Sequence, residues 1–502
     1  MDKKKSILNV TVSVGSRLII MVLAIAVKRS LIRTCGNDVN GLNSLYLSII
    51  GFLTVAELGV GSAISFCMYR PIVEGDIKKV SALYHLFRKW YQAVGTIMLM
   101  AGLALMPVLH LFAKDYAQLD VNLHVTLVLI LVSVVATYLF GAKTALINAY
   151  KNNYITIAID SGSMVVQYLL QLVVLWLTKS FVAYLACRII TVLIQWYLTN
   201  RVTQSSHTDI ISGSGTLDRD TRRTLVEKIK AMFIHKVGSL LVNTVDSIVI
   251  SVFIGVVALG EYSNYTSIQM SMNMLLKLVF TSLMSVVGHM YVQQSREAFQ
   301  KYHELFHMGN FVLGTVFYLG YFAVIDPLIA ILFGEDLVME RTVSMVITMN
   351  GFVQFMRMST LVFRDATGSF YHDRWKPLAE GTVNIVLSVL FVRWIGVTGV
   401  IVATIVTNLL ICHVVEPFVL FKNAFECSPL RYCLRNYSLM AIFGGLMVLY
   451  RNFEVFSYGH WGNMLTNGMI SVAISGGVCI VLLLWNGETR DLMVRRLKKW
   501  SR

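Results

Sequence analysis

Charge is scarce in this chain: Asp, Glu, Lys and Arg make up 14% of its 502 residues, hydrophobic residues make up 56%, and the mean hydropathy is +0.66. A soluble surface needs roughly a quarter to a third of its residues charged, so this scarcity excludes an ordinary water-soluble globular protein. Paired cysteine motifs are missing too. Cys35, Cys67, Cys187, Cys412, Cys427, Cys433 and Cys479 are scattered, with no Cys-x-x-Cys and no histidine cluster at metal spacing. Neither a disulfide framework nor a zinc centre is implied, and no metal or cofactor is expected. The Gly59-Val60-Gly61 stretch lacks the third glycine of a dinucleotide fingerprint and sits where no βαβ unit can form. Large outer loops are absent as well: the longest lie near residues 112–123 and 452–463. A membrane polymerase or ligase would carry its catalytic residues on such a loop, so a transporter is favoured over an enzyme.

What is present is a succession of apolar stretches of about 20 residues, the length that crosses a bilayer. They lie near residues 11–32, 42–66, 90–112, 123–142, 154–177, 181–199, 231–254, 262–287, 308–333, 343–363, 378–395, 397–420, 436–450 and 464–485. The expected fold is all-α and polytopic, with about 14 transmembrane helices. The first stretch follows the basic segment Met1-Asp2-Lys3-Lys4-Lys5, but it is long, holds Arg17 and has no small-residue cleavage site, so it reads as an uncleaved helix. Lys and Arg alternate in number from loop to loop: with the N-terminus inside, inner loops hold 30 of the 43, outer loops hold six, and seven lie within spans. This positive-inside pattern places both termini in the cytoplasm. It also accounts for the net charge of +15 without nucleic acid.

The longest polar segment, residues 201–230, contains Ser212-Gly213-Ser214-Gly215 and the basic group Arg219, Arg222, Arg223. It reads as a cytoplasmic linker, whose end from Thr221 to Lys230 is either an amphipathic helix on the anionic inner leaflet or a solvated charge run. A shift of 219 residues superposes Gly36, Gly41, Tyr46, Ser48 and Ile49 on Gly255, Gly260, Tyr265, Ser267 and Ile268, and Arg17 on Lys236. The same shift carries the first predicted helix onto the seventh in the same orientation. The expected organisation is therefore two parallel six-helix lobes, residues 1–200 and 231–420, joined by the linker 201–230. Residues 421–502 add helices 13 and 14 and a basic tail.

A charged side chain near the bilayer centre costs roughly 2.5 to 3.5 kcal/mol, which makes those retained in spans functional candidates. Arg17 lies about 9 Å into its span, and Lys236 lies at a similar depth in the repeat. Together they predict an electropositive well suited to phosphate or pyrophosphate. Lys277 and Arg357 are further candidates for that site. Glu57, Asp160 and Asp246 are either proton or sodium sites or ion-pair partners for the bases. Asp246 is about 15 Å along its helix from Lys236, so those two do not pair directly. The small residues around Glu57, from Ala56 to Ser65, suit either a moving element or plain close packing.

The segment Asn40-Gly41-Leu42-Asn43-Ser44-Leu45, followed by Ala56-Glu57-Leu58-Gly59-Val60-Gly61-Ser62-Ala63-Ile64-Ser65 and Tyr69-Arg70-Pro71, resembles the N-terminal region of bacterial polysaccharide-repeat flippases. These belong to the multidrug/oligosaccharidyl-lipid/polysaccharide exporter superfamily. The resemblance implies translocation of undecaprenyl-pyrophosphate-linked oligosaccharide across the bacterial cytoplasmic membrane, by alternating access and with an ion gradient. Its implied partners are the lipid-linked substrate, membrane lipids, a coupling proton or sodium ion, and other polysaccharide-assembly proteins. Arg17 matches the basic residue that the family tends to carry in helix 1. A drug or cation exporter of the same superfamily is the alternative; it would use acidic cavity groups, whereas the predicted buried charges here are mostly basic.

Overall fold

The computed structural model describes the backbone of residues 3–57, 60–114, 121–455 and 459–485. It describes side chains over the same ranges except at 3–14, 55, 56, 62, 224, 228, 230–243, 278, 281, 370, 371, 479 and 481–485. The described residues are helical and include no strand. In a hydrocarbon solvent each backbone amide must find its partner within the chain, and a helix achieves this segment by segment. Each of the fourteen predicted apolar stretches is helical over most of its length. The chain is thus an all-α, polytopic membrane protein, as its composition requires.

By contacts the chain divides into two compact units, Met1–Gly260 and Glu261–Arg502. The first holds α1 (Lys3–Cys35), α2 (Asn37–Leu53), α3 (Val60–Glu74), α4 (Ile77–Ala104), α5 (Leu109–Phe112), α6 (Leu123–Thr137), α7 (Gly141–Ala149), α8 (Asn153–Thr178), α9 (Phe181–Ser206), α10 (Thr208–Ser212) and α11 (Arg219–Phe253). The helix α12 (Val256–Gln293) begins in it. The second holds the rest of α12, then α13 (Arg296–Leu332), α14 (Arg341–Met356), α15 (Met358–Ala366), α16 (Lys376–Thr407), α17 (His413–Leu420), α18 (Leu430–Arg451) and α19 (His460–Trp485). Within the first unit α8 packs on α1 and α9, and α6 on α4 and α9; within the second, α13 packs on α14 and α19.

Among the described residues seven helices are long and apolar enough to cross a membrane, and the pair Val256–Lys277 and Ser282–Gln293, bent by 41°, meets the same length and composition only when taken together. The count is below fourteen partly because spans predicted apart run together. The apolar helix Lys376–Phe425 covers both 378–395 and 397–420. It turns sharply between them at Ile395 (φ −131°, ψ 24°) and Gly396 (φ 60°, ψ −138°), where a glycine tolerates the left-handed backbone.

Polar caps start the helices. Asp76, Asn122, Ser180, Asp218 and Ser295 precede α4, α6, α9, α11 and α13, and each accepts a hydrogen bond from a first-turn amide.

The 219-residue repeat has a counterpart in local geometry. Gly36 (φ 98°) joins α1 to α2 and Gly255 (φ 142°) joins α11 to α12. Tyr46 and Tyr265 are both fully buried. The Tyr46 hydroxyl reaches the Leu123 carbonyl at 3.0 Å and the Thr126 hydroxyl at 2.9 Å. The Tyr265 hydroxyl donates to Asp326 at 2.8 Å and accepts from the Met339 amide at 3.0 Å. Gly41 and Gly260 mark a crossing of backbones: a Cβ on Gly41 would lie 1.8 Å from the Val256 carbonyl oxygen, and one on Gly260 would lie 2.4 Å from the Asn37 carbonyl oxygen. The Asn37 and Asn40 amides seal it by donating to the Val257 and Gly260 carbonyls at 3.1 and 3.2 Å.

The polar segment after α9 is docked on the protein. Ser81 donates to the Ile210 carbonyl at 2.8 Å, a His85 ring nitrogen lies 2.9 Å from the Gly213 carbonyl, and Lys79 pairs with Asp218 at 2.8 Å. Ile210 and Leu225 are buried in a core with Val60, Ile64, Leu83 and Leu146. Arg222 and Arg223 stay exposed. The start of α11 therefore places its apolar side against protein, with its basic side outward.

Candidate functional site

A cavity of about 730 Å³ opens within the first unit, lined from α3, α4, α6, α7, α8 and α9. Glu57 closes the 3₁₀ turn Thr54–Glu57 after α2, and Asp160 enters from α8. Tyr91, on α4, donates its hydroxyl to Glu57 at 2.9 Å. Gly61 permits this contact: a Cβ there would stand 2.8 Å from the Tyr91 oxygen and 3.2 Å from the Glu57 oxygen. That assigns a packing role to a glycine in the small-residue run. Tyr91 stacks on Phe87 at 4.5 Å and meets Tyr138 at 5.2 Å, so one wall is aromatic. The other lining groups that bear hydrogen-bonding atoms are Ser65, Tyr69, Thr137, Thr144, Asn148, Asn153 and Gln195. Thr156 donates to the Asn148 side-chain oxygen at 2.7 Å and fixes that amide. None of the lining residues is basic.

The second unit treats its buried charges differently. Arg357 makes a bidentate pair with Glu416 (3.1 and 2.6 Å), donates to Asn408 at 2.7 Å and lies 3.6 Å from Glu380. Lys376 contacts Glu416 at 2.5 Å and Glu380 at 3.2 Å. Two bases and two acids thus neutralise one another inside the unit, the geometry a buried ion pair requires if it is to offset its desolvation. A second network joins Arg341 to Asp326 at 2.7 Å and to Glu454. An apolar cavity of about 820 Å³ lies between α12, α13 and α19, lined by residues such as Met272, Phe317, Leu465 and Val472, with Tyr321 and Ser471 its only hydroxyl bearers.

The predicted site residues therefore fall in different surroundings. Glu57 and Asp160 share one cavity. Arg17 is exposed on α1 and Lys277 is exposed on α12, while Asp246 is half-buried on α11. Lys236 lies outside the described side chains. Arg357 is held by Glu416 and Glu380.

No protein-family profile and no curated protein matches the sequence. Solved structures do match. The lipid II flippase MurJ in an inward closed conformation aligns with 97% of this chain and 100% of its own, at TM-score 0.67 and 14% identity. An inward-facing multidrug resistance MATE-family transporter of the MOP superfamily aligns with 84% of this chain and 95% of its own, at TM-score 0.63 and 13% identity. A MOP-superfamily transporter from Pyrococcus furiosus, described by the reversed polarity of its binding pocket, aligns with 85% of this chain and 98% of its own, at TM-score 0.54 and 13% identity. This chain shares the fold of these solved structures.

Several residues that line the polar cavity carry no charge and so escape a search for buried charges. Tyr91, Tyr138, Asn148, Asn153 and Gln195 are the examples, and the only sequence signal for the amides is their position in or beside apolar helices. Glu380 and Glu416 also escape it. They sit near the ends of apolar stretches, where a carboxylate resembles a loop charge; the spacing Lys376, Glu380 marks a same-face pair on one helix.

Proposed function

We propose that this protein moves undecaprenyl-pyrophosphate-linked oligosaccharide repeat units across the bacterial cytoplasmic membrane by alternating access, for surface polysaccharide synthesis. The observation that carries the reading is the lining of the first unit's cavity. Amides, hydroxyls and two carboxylates suit sugar hydroxyl groups, and the Phe87, Tyr91, Tyr138 wall suits the apolar face of a sugar ring. No bond of the substrate is broken, so no nucleophile or acid–base pair is required. The apolar cavity of the second unit is compatible with a hydrocarbon chain. Arg17, Lys236 and Lys277 are proposed to capture the pyrophosphate from the cytoplasm; Arg357 holds Glu416 in the structure and is proposed to join them only if that pair opens. Glu57, Asp160 and Asp246 are the proposed sites for a coupling proton or sodium ion.

One observation favours a second reading. Two carboxylates and no base line the cavity, which is the chemistry of an exporter of cationic compounds. The experiment that separates the two is a deletion strain complemented with wild type, Asn148→Ala, Tyr91→Ala, Arg17→Ala or Lys236→Ala. The flippase reading predicts that the variants lose surface polysaccharide and accumulate lipid-linked repeat units in the inner leaflet. Normal polymer in all four, with altered sensitivity to cationic drugs, contradicts it.

A further inference from the structure

The second unit contains a titratable group that the transport reading does not use. His303, on α13, is fully buried, and neither of its ring nitrogens has a hydrogen-bond partner among the described residues. Four aromatic rings surround it: Phe363 on α15 at 5.0 Å, Phe421 at 5.7 Å and Phe425 at 5.5 Å in the π-helical segment Phe421–Phe425, and Tyr432 on α18 at 5.2 Å. Phe363 and Phe421 stand nearly perpendicular to the imidazole, at 74° and 80°.

An aromatic face accepts an N–H or a cation and offers nothing to a lone pair. Neutral imidazole has one N–H and one lone pair, so the cage serves half of it; imidazolium has two N–H groups and no lone pair, so the cage serves both. Most charged groups on the elements packed around it are held in pairs. Above His303 on the same helix, Glu304 pairs with Arg435 of α18 at 3.4 Å. Arg364 of α15 is held by Asp365 at 2.8 Å and Asp373 at 2.6 Å. Beyond Phe425, Glu426 pairs with Arg296, and Lys422 and Arg431 are exposed. One turn along α13, His307 is ringed by Tyr432 (3.3 Å) and Ser359 (3.1 Å) on one nitrogen, with its Nε2 unpartnered.

We propose that His303 is a reversible proton-binding site of the second unit, with the four-ring cage holding the imidazolium. The ring takes a proton from hydronium, which leaves as water, forms one N–H bond and gives the proton back to water as the pH rises; nothing is oxidised or transferred besides. The proposal is independent of which substrate the protein carries.

The test follows ring-nitrogen resonances of ¹⁵N-histidine-labelled full-length protein in lipid nanodiscs from about pH 8 to about pH 5, the range in which an imidazole is able to switch. His303→Phe, or His303→Gln if the first does not fold, assigns the signals by their loss. The expected result is a neutral ring at the alkaline end and imidazolium at the acidic end. In Phe421→Leu the transition should move to at least about tenfold higher proton concentration, roughly one pH unit lower, because the charged form loses a face. A His303 ring that stays neutral throughout, or a transition unmoved by thinning the cage, overturns the proposal.

Discussion

The two units hold their intramembrane polar groups in opposite ways. In the first, Glu57, Asp160 and a set of amides and hydroxyls face a cavity of about 730 Å³. In the second, Arg357, Lys376, Glu380 and Glu416 face one another and leave nothing over. Local geometry is nevertheless alike at positions 219 residues apart: Gly36 and Gly255 each join two helices with a positive φ, and Tyr46 and Tyr265 are each fully buried. Interior chemistry therefore differs between the units, an open polar cavity in the first and closed ion pairs in the second.

That contrast breaks most visibly at Glu416. Glu416→Gln leaves Arg357 and Lys376 without their shared carboxylate, and the protein should lose about 3 to 5 kcal/mol of stability, read as a large fall in thermal midpoint in detergent. An unchanged midpoint would show that the second unit is no more cohesive than the first. Next in size is Gly41→Ala, whose methyl would occupy the space of the Val256 carbonyl; a loss of about 1 to 3 kcal/mol is expected. Gly162→Ala, with open space around it, serves as the control. Tyr91→Phe should lower stability by only about 1 kcal/mol, the worth of its hydrogen bond to Glu57, yet impair transport. Asp160→Asn sharpens the same point: Asp160 is exposed to the cavity and forms no ion pair among the described residues, so stability should change by less than about 0.5 kcal/mol while transport falls.

The smallest effect concerns the docked segment outside the membrane. The Lys79 ammonium beside Asp218, with the Thr221 hydroxyl and amide, holds its carboxyl well below the usual carboxylate range. A carboxyl depressed in the fold stabilises it above its unfolded value of about 3.9 and loses that contribution as pH falls below it. The midpoint difference between wild type and Asp218→Ala should therefore be small at neutral pH and vanish toward acid. A difference that grows on acidification would refute the Lys79 pairing.

Much of the fold was legible because apolar length is a strong signal in lipid. The apolar spans follow from it, and each is helical over most of its length. The site was legible only in part. Glu57 and Asp160 stood out as charges in apolar helices, and the structure places them in one cavity. Arg357 stood out for the same reason, but pattern alone does not reveal that Glu416, 59 residues away, lies against it. Tyr91 and Tyr138 look like ordinary membrane aromatics until α4 and α6 are packed, and His303 is one imidazole among 11 histidines until its cage is seen. The segment 207–218 reads as polar linker because the contacts that dock it, to Ser81, His85 and Lys79, come from more than a hundred residues earlier.

The most direct test of the account is leaflet transfer in vesicles reconstituted with the purified protein and a fluorescent undecaprenyl-pyrophosphate oligosaccharide. Wild type should carry the labelled lipid between leaflets well above protein-free vesicles, and Asn148→Ala with Tyr91→Phe should slow it about tenfold or more while the protein remains folded, the scale expected from removing two hydrogen-bonding groups worth about 1 kcal/mol each. Transfer no faster than in protein-free vesicles, or transfer indifferent to the cavity substitutions, would contradict it.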